Sequence, residues 1–192
     1  MRLRQMLLGW GCVGLIYFPT GLLQGPALIL PETPFDRLIA YNPDAVWPYL
    51  SFFALIPYAY LAAPEGRVRQ LARAMQLCAV AAGAVFLLFP TPLAYPPAPA
   101  GDGAGLWLLA RLLEADSARN CLPSLHAALT ALCVWALCER ARPVRSAAVL
   151  LLGAAICYSV IALRRHLAID LVAGLLLALA GAMLAAKFTK PD

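Results

Sequence analysis

Long uncharged stretches separated by short charged segments dominate this chain. Between successive Asp, Glu, Lys and Arg residues, the uncharged runs cover 5–31, 45–64, 74–101, 120–138, 146–163 and 171–186. A helix needs about 20 residues to cross the hydrocarbon core of a bilayer. The run lengths therefore predict an all-α bundle of six transmembrane helices, at 6–30, 45–63, 71–89, 122–140, 144–163 and 166–186.

The composition supports an integral membrane protein. The 192 residues are 62% hydrophobic and 13% charged, whereas soluble domains carry about 25% charged residues. This excludes a disordered chain, a nucleic-acid-binding protein and an ordinary soluble globule. Arg2 and Arg4 precede the first apolar run, as in a signal peptide, but the run is long and lacks a small-residue cleavage pattern. We therefore predict a retained helix and a single integral membrane domain over residues 1–192.

A different pattern occupies the connection between the third and fourth predicted helices. Proline and glycine open this segment, which runs from about residue 90 to 121, and LWLLARLLEAD follows at 106–116. Its leucines at positions 108, 109, 112 and 113 share one helical face. The pattern predicts a short amphipathic helix lying in the outer interface of the membrane. A plain connector is the alternative.

The distribution of basic residues predicts the orientation in the membrane. Six helices place the N-terminus, 64–73, 139–145 and the C-terminus on one side. That side holds 10 of the 15 basic residues: Arg2, Arg4, Arg67, Arg69, Arg73, Arg140, Arg142, Arg145, Lys187 and Lys190. Cytoplasmic loops carry the excess of Lys and Arg. We predict a multi-pass protein of the inner (cytoplasmic) membrane with both termini in the cytoplasm.

The first chemical motif is RNCLPSLHAA, which begins at Arg119. Pro123 suits the first turn of a helix, where its missing N–H costs nothing. Ser124 and Leu125 would then offer free backbone N–H groups at the positive end of the helix dipole, which favours an anion. His126 stands beside these amides. The motif falls on the side opposite the basic loops.

The second motif is LRRHLAIDLVAG, and it lies on the same side. His166 and Asp170 are spaced i,i+4, so they share one helical face. A carboxylate in this position can orient an imidazole, and an aspartate within a membrane helix indicates function. Arg164 and Arg165 flank the histidine. Residues 119–174 therefore carry the predicted chemistry, and a phosphate group is the natural ligand for such a set.

These residues resemble the type 2 phosphatidic acid phosphatase and haloperoxidase superfamily, whose signatures are K-x6-R-P, P-S-G-H and S-R-x5-H-x3-D. The second signature is matched by PSLH, with Leu125 in place of Gly, and the third by Ser159, His166 and Asp170. Val160 replaces the arginine of the third signature. The first signature is not found, because the segment FPTPLAYPP has no basic residue.

One branch of the superfamily shows a closer likeness. Asn120, upstream of the PSLH sequence, and Arg164, two residues before the second histidine, are similar to the inositol phosphorylceramide synthases and related bacterial proteins. The resemblance covers roughly residues 45–186, although its specific part is confined to the two motifs.

The resemblance implies a mechanism. His166 would be the nucleophile that forms a phosphohistidine, Asp170 would orient it, and His126 would be the general acid and base. The implied phosphate-binding residues are Ser124, Leu125, Arg164, Arg119 and Arg165. No metal or other cofactor is expected, because phosphoryl transfer depends mainly on positioning and electrostatics.

The expected function is a lipid phosphate phosphatase with its active site at the outer, extracytoplasmic face. A lipid phosphate or phospholipid is the expected substrate, and the bilayer is the expected partner. Two alternatives remain open. One is a head-group phosphotransferase that uses a hydroxyl acceptor, similar to an inositolphosphotransferase. The other is a catalytically silent membrane protein that keeps the fold.

Overall fold

The computed structural model describes residues 1–22, 26–94, 96–97, 101–116 and 118–188. Within these ranges the chain is all-helical. Its helices are α1 (Arg2–Leu22), α2 (Pro34–Leu38), α3 (Val46–Ala62), α4 (Glu65–Leu88), α5 (Ala104–Ala115), α6 (Leu125–Leu137), α7 (Pro143–Ala162) and α8 (Ala168–Phe188). A single 3-10 turn, Pro43–Ala45, leads into α3. The predicted all-α class is confirmed.

Four helical stretches of the described chain are long and apolar enough to cross a membrane. They are Pro43–Ala62, Glu65–Leu88, Pro143–Ala162 and Ala168–Phe188. The other two predicted spans correspond to α1 and α6. With 13 residues, α6 extends about 20 Å along its axis, which is less than the hydrocarbon thickness of about 30 Å. The structure therefore supports four spans by length and composition and does not establish six.

Two helix boundaries differ from the prediction for identifiable reasons. α1 is described over Arg2–Leu22, and residues 23–25 of the predicted helix lie outside the described ranges. The predicted helix does not extend over 26–30, where Pro26 lacks the N–H group that a helix needs. α4 begins at Glu65, six residues before the predicted start. Charged residues limit the part of a helix that can lie in lipid, but they do not end the helix itself.

The helices pack through small residues. α4 contacts α1 and α8, and α6 contacts α3, α4, α7 and α8. The buried side of α4 includes Ala72, Ala74, Cys78 and Ala79, and Gly181 of α8 lies against the Cys78 sulfur. Small side chains let membrane helices approach closely and gain van der Waals contact.

Arginine side chains cap the helices at one end of the bundle. Arg2 donates to carbonyl groups in and just after the last turn of α3, and Arg67 does so for α6. Arg145 donates to carbonyl groups of both regions, and Arg73 donates to the Phe188 carbonyl of α8. The last carbonyl groups of a helix have no partner within it, so these arginines satisfy acceptors that the helices leave open.

The opposite end of the bundle carries both histidines. Here α1, α4 and α7 end, whereas α3, α6 and α8 begin. The connecting segments are tied to it: the Asn42 N–H donates to the Ala162 carbonyl over 2.9 Å, and the Leu28 N–H donates to the Pro90 carbonyl over 2.8 Å. α5 lies across the same end, with Leu109 buried in a cluster that contains Tyr49. The apolar face predicted for α5 thus packs against protein.

Candidate active site

The first motif forms the beginning of α6. Ser124 is the N-cap, and its Oγ accepts a hydrogen bond from the Ala127 N–H at 3.3 Å. Pro123 therefore lies before the helix and not in its first turn, contrary to the expectation from the sequence. The Ser124 N–H donates to the Asp170 carbonyl over 3.0 Å, so this amide is already engaged. Leu125 and His126, the first residues of the helix, have amides with no helical carbonyl to bind.

The second motif begins with a tight turn between α7 and α8. The Arg164 N–H donates to the Ile161 carbonyl and the Arg165 N–H to the Val160 carbonyl, each over 2.9 Å. This is the Schellman arrangement, which usually places glycine at the left-handed position. Arg164 occupies that position with a φ of 54°. A side chain there costs roughly 1–2 kcal/mol.

The guanidinium of Arg164 offsets that cost by anchoring the turn. It donates to the Asp36 carbonyl over 2.8 Å and to the Ile39 carbonyl over 2.9 Å. Arg164 therefore connects the α7–α8 turn to α2, and both of its terminal nitrogens serve this connection. Both bonds of the Arg164 guanidinium therefore run to the α2 region and not to the two histidines.

Two carboxylates hold the beginning of α8. Asp36 accepts from the Ala168 N–H at 2.7 Å, and Asp170 accepts from the Leu167 N–H at 2.8 Å. Burial opposes the ionisation of Asp36, but hydrogen bonds from Thr33 and Ala168 outweigh it and hold the pKa of this carboxyl below its usual range. Negative charge at a helix N-terminus is also favoured by the helix dipole.

The structure brings His126, His166 and Asp170 together. Nδ1 of His166 lies 3.5 Å from Oδ2 of Asp170, and this contact does not have hydrogen-bond geometry. The ring centroids of His126 and His166 are 5.9 Å apart, with 58° between the ring planes. Both histidines thus face one small region, and Asp170 lies beside the Nδ1 side of His166.

Aromatic rings from α3 hold His126 in place. Tyr49 and Phe52 have ring centroids 4.7 and 4.5 Å from the imidazole. Nε2 of His126 is buried and has no hydrogen-bond partner among the described residues. A buried polar atom in this state is costly unless a ligand binds it, so the atom is suited to bonding a substrate oxygen.

Arg165 is buried beside the histidines, and its partner was not predicted from the sequence. Nη2 of Arg165 lies 2.6 Å from Oδ2 of Asp116, the residue that ends α5. Burial opposes the ionisation of Asp116, but the charge of Arg165 and the hydrogen bonds from Tyr17 and Arg165 outweigh it, so the pKa of Asp116 lies below its usual range. In the sequence, Asp116 is simply one acidic residue among several on the predicted outer side.

The loop before α6 is anchored by its own residues. The Arg119 carbonyl accepts from the Thr91 N–H at 3.3 Å. The Asn120 amide nitrogen donates to the Tyr17 carbonyl over 2.8 Å and to Thr20 Oγ1 over 3.1 Å. Asn120 therefore connects the motif to α1, and its side chain has a structural role. Arg119 is the first residue of the motif, and the bond to Thr91 is made by its backbone carbonyl.

Two cavities lie outside the region between the histidines. A groove of about 740 Å³ runs between α4 and α8 and is lined mainly by apolar side chains, with Arg73 and Gln76. A cavity of about 10 Å³ lies beside Asp170 and Cys121. The large groove touches neither motif, so the chemistry of the side chains, and not cavity size, identifies the candidate site.

The side chains of the site suit an oxyanion better than a metal ion. Across the described ranges, no group of three His, Cys, Asp or Glu residues lies close enough to hold a metal ion. The site instead combines two imidazoles, a buried guanidinium and a helix N-terminus, and each of these interacts favourably with a phosphoryl group.

Comparison with protein families finds a match over most of the chain. The model described as the PAP2 superfamily matches residues 27–184, a span that contains both motifs and every helix from α2 to α7. A search of curated proteins found no match, and neither did a search of solved structures.

Proposed function

The chain belongs to the PAP2 superfamily, and from that membership we propose that it is a lipid phosphate phosphatase that works through a phosphohistidine. Membership indicates phosphatase or phosphotransferase activity in a membrane protein. The observation that carries the proposal is the 5.9 Å separation of the His126 and His166 rings, with Asp170 beside the second ring. The nucleophile, the general acid and the orienting group are then three neighbouring side chains.

His166 is the proposed nucleophile. Its Nδ1 faces Asp170, so Nε2 attacks phosphorus, and the P–O bond to the lipid alcohol breaks. His126 donates its Nε2 proton to the departing oxygen. Asp170 stabilises the positive charge that develops on the His166 ring. In-line displacement needs the nucleophile about 3–3.5 Å from phosphorus and the acid about 2.6–3.2 Å from the departing oxygen, so the two rings bind opposite sides of one phosphoryl group.

Water completes the reaction. His126 accepts a proton from a water molecule as the water oxygen attacks phosphorus. The N–P bond breaks, inorganic phosphate leaves, and the electron pair returns to His166. His126 is protonated again and ready for the next substrate. Atoms and charge balance over the two steps, and the net reaction is hydrolysis of one phosphoester bond.

The proposed phosphate-binding groups are unequal in role. The first-turn amides of Leu125 and His126 and the guanidinium of Arg165 bind the phosphoryl oxygens. Arg119 contributes positive charge from the adjoining loop. Ser124 supports the amides as N-cap, and Arg164 supports the site by holding the α7–α8 turn. The last two assignments follow from the bonds that these residues already make.

We also propose the orientation and the number of spans. α1 and α6 join the four long apolar helices to make six, both termini lie in the cytoplasm, and the histidines lie at the extracytoplasmic face. The support is the position of Arg2, Arg67, Arg73 and Arg145, which cap helices at the end opposite the histidines. An excess of basic residues is typical of the cytoplasmic side.

A head-group phosphotransferase is the second candidate, and enclosure of the site favours it. The side chain of His166 is 7% exposed, and Nε2 of His126 is buried. A site that excludes water protects a phosphohistidine from hydrolysis until a hydroxyl acceptor arrives. The likeness to the inositol phosphorylceramide synthase branch rests on Asn120 and Arg164, which both make structural contacts here and give little further support.

The test is an assay of the purified protein in detergent micelles over a panel of lipid phosphates. Free phosphate and new phospholipid are measured in parallel, with and without polyol acceptors. Phosphate release that depends on His166 and His126 supports the phosphatase. A transfer product supports the phosphotransferase. A folded protein that gives neither product overturns both and favours a catalytically silent member.

A further inference from the structure

One carboxylate outside both motifs joins four separate parts of the chain. Asp116 accepts from Nη2 of Arg165 at 2.6 Å, from the Tyr17 hydroxyl at 2.5 Å and from the Tyr49 hydroxyl at 3.1 Å. These partners belong to the α7–α8 turn, α1 and α3, whereas Asp116 itself ends α5. Its side chain is 11% exposed. Charge-assisted hydrogen bonds of this kind are short and directional.

Two of these partners contact the proposed catalytic groups. Arg165 directly precedes His166 in the chain, and its side chain is 1% exposed. The Tyr49 ring lies against the His126 imidazole, with 4.7 Å between centroids. Asp116 is therefore one residue away from each histidine, through Arg165 on one side and through Tyr49 on the other.

Stability alone is a weak explanation for this arrangement. Taking an arginine and an aspartate out of water costs several kcal/mol per ion, and apolar side chains of similar size are often as stable. A charged pair does something that an apolar pair does not: it fixes the direction of the planar guanidinium. Nη2 also approaches the Leu112 carbonyl at 3.5 Å, which further restricts the plane of the group.

Arg165 is placed where it could replace a residue that the motif lacks. Val160 stands where the third signature carries its arginine, so a guanidinium that binds the phosphoryl group has to come from another position. Arg165 is the buried arginine beside His166. A guanidinium supplied from a new position needs a new partner to orient it, and Asp116 is that partner.

We propose that Asp116 is a positioning residue for phosphoryl transfer, holding the Arg165 guanidinium toward the phosphoryl group and the Tyr49 ring against His126. This inference rests on the proposed function. Asp116 touches no reacting atom and acts through its two partners. The proposal also gives the segment between α4 and α6 a defined role, because Asp116, at the end of α5, helps to set the geometry of the site.

The test compares Asp116→Asn with wild type and with Glu114→Gln. Asn keeps an acceptor oxygen but loses the charge that orients Arg165. Glu114 is on the same helix and forms an exposed ion pair with Arg111 at 2.7 Å, so its variant is the matched control. Phosphate release and transfer product are both measured with a short-chain phosphatidic acid, which gives kcat and KM separately.

We expect the kcat of Asp116→Asn to fall by about tenfold or more. Removing a whole oriented donor costs about 10²–10³ in kcat, and this variant loosens the donor without removing it. KM should change by less than kcat, because the orientation matters most in the transition state. Asp116→Glu should recover part of the loss, and Glu114→Gln should match wild type.

A double variant separates positioning from a general structural effect. If Asp116 acts through Arg165, adding Asp116→Asn to Arg165→Lys should cost little beyond Arg165→Lys alone. If Asp116→Asn does not fold, Tyr49→Phe provides the second test, since it keeps the ring beside His126 and removes the bond to Asp116. A several-fold loss of kcat with an unchanged melting temperature is expected there.

Three outcomes would overturn the proposal. The first is unchanged kcat in Asp116→Asn and in Tyr49→Phe. The second is additive losses in the double variant. The third is a lower KM with kcat retained, which would mean that Asp116 competes with the substrate phosphate for Arg165. Wild type that gives neither product overturns the proposed function itself, whereas active wild type with any of these three outcomes overturns only the role of Asp116.

Discussion

The Ser124 amide donates a hydrogen bond to the Asp170 carbonyl over 3.0 Å and thereby joins the two motifs. Ser124 and Asp170 are separated by about 45 residues of chain, which include all of α6 and α7. The bond fixes the beginning of α6 against the beginning of α8, and so it sets the distance between His126 and His166. This backbone contact therefore determines where the two histidine side chains lie relative to each other.

Gly174 makes this close approach possible, and its replacement tests it. A Cβ atom at position 174 would collide with the Ser124 carbonyl oxygen, so Gly174→Ala must push α6 and α8 apart. We expect destabilisation of about 1–3 kcal/mol and a larger fall in kcat, both measured on purified protein. Gly11→Ala is the control, because a Cβ atom there meets nothing within 4 Å. Equal behaviour of the two variants would contradict the prediction.

Replacing the histidines should separate their roles. His166→Ala removes the nucleophile, so neither turnover nor a covalent intermediate is expected. His126→Ala should still form the intermediate, and its defect should be smallest with a substrate whose departing group needs no proton. The measurement is rapid quenching with a radiolabelled lipid phosphate, which should yield a base-stable, acid-labile label. Label that persists in His166→Ala would show that another residue is the nucleophile.

Much of the fold could be predicted from the uncharged runs, because the length and hydropathy of a run indicate whether it is buried in lipid or in a helical core. α3 and α7 were predicted to within one residue at each end. The short helix α2 was not predicted, since it depends on a local capping box between Thr33 and Asp36. The length of α6 was overestimated at its start, because the loop before it is uncharged like the helix, and at its end, because the prediction ran past Leu137 into the charged turn.

The site was predictable only where its residues lie within one motif. The spacing of His166 and Asp170 predicted that they lie close together, and Nδ1 of His166 is 3.5 Å from Oδ2 of Asp170. The predicted shared helical face is wrong, because α8 begins at Ala168 and His166 lies in the turn before it. The bonds of Asp36 and Asp116 to the α7–α8 region depend on tertiary packing across 132 and 49 residues of chain. No local sequence pattern predicts contacts between residues that are so far apart in the chain. The same limit explains Arg164, whose position beside the histidine indicates a phosphate contact although its bonds run to α2.

Substitution of Arg164 tests the turn and the anchor separately. Glycine tolerates the left-handed conformation, whereas alanine does not, so Arg164→Gly should unfold at a higher temperature than Arg164→Ala by the equivalent of about 1 kcal/mol. Both variants lose the bonds to the Asp36 and Ile39 carbonyls, so both should be less stable than Arg164→Lys. The measurement is thermal unfolding in detergent. Alanine equal to glycine would show that the turn relaxes from the φ of 54°.

The carboxylate of Asp36 should make stability depend on pH. Its folded pKa lies below the ordinary value, which is about 3.9 for aspartate, so the folded state favours the ionised form. The resulting stability is fully present above that ordinary value and is lost as pH falls through the folded pKa. Asp36→Asn should therefore melt below wild type at neutral pH, and the two melting temperatures should converge as the pH falls below about 4. Thermal unfolding in detergent across this range measures the difference, with Asp44→Asn as the control at an aspartate for which no buried partner is seen in the described chain. A difference in melting temperature that stays constant down to the acid end would show that Asp36 caps α8 by shape and not by charge.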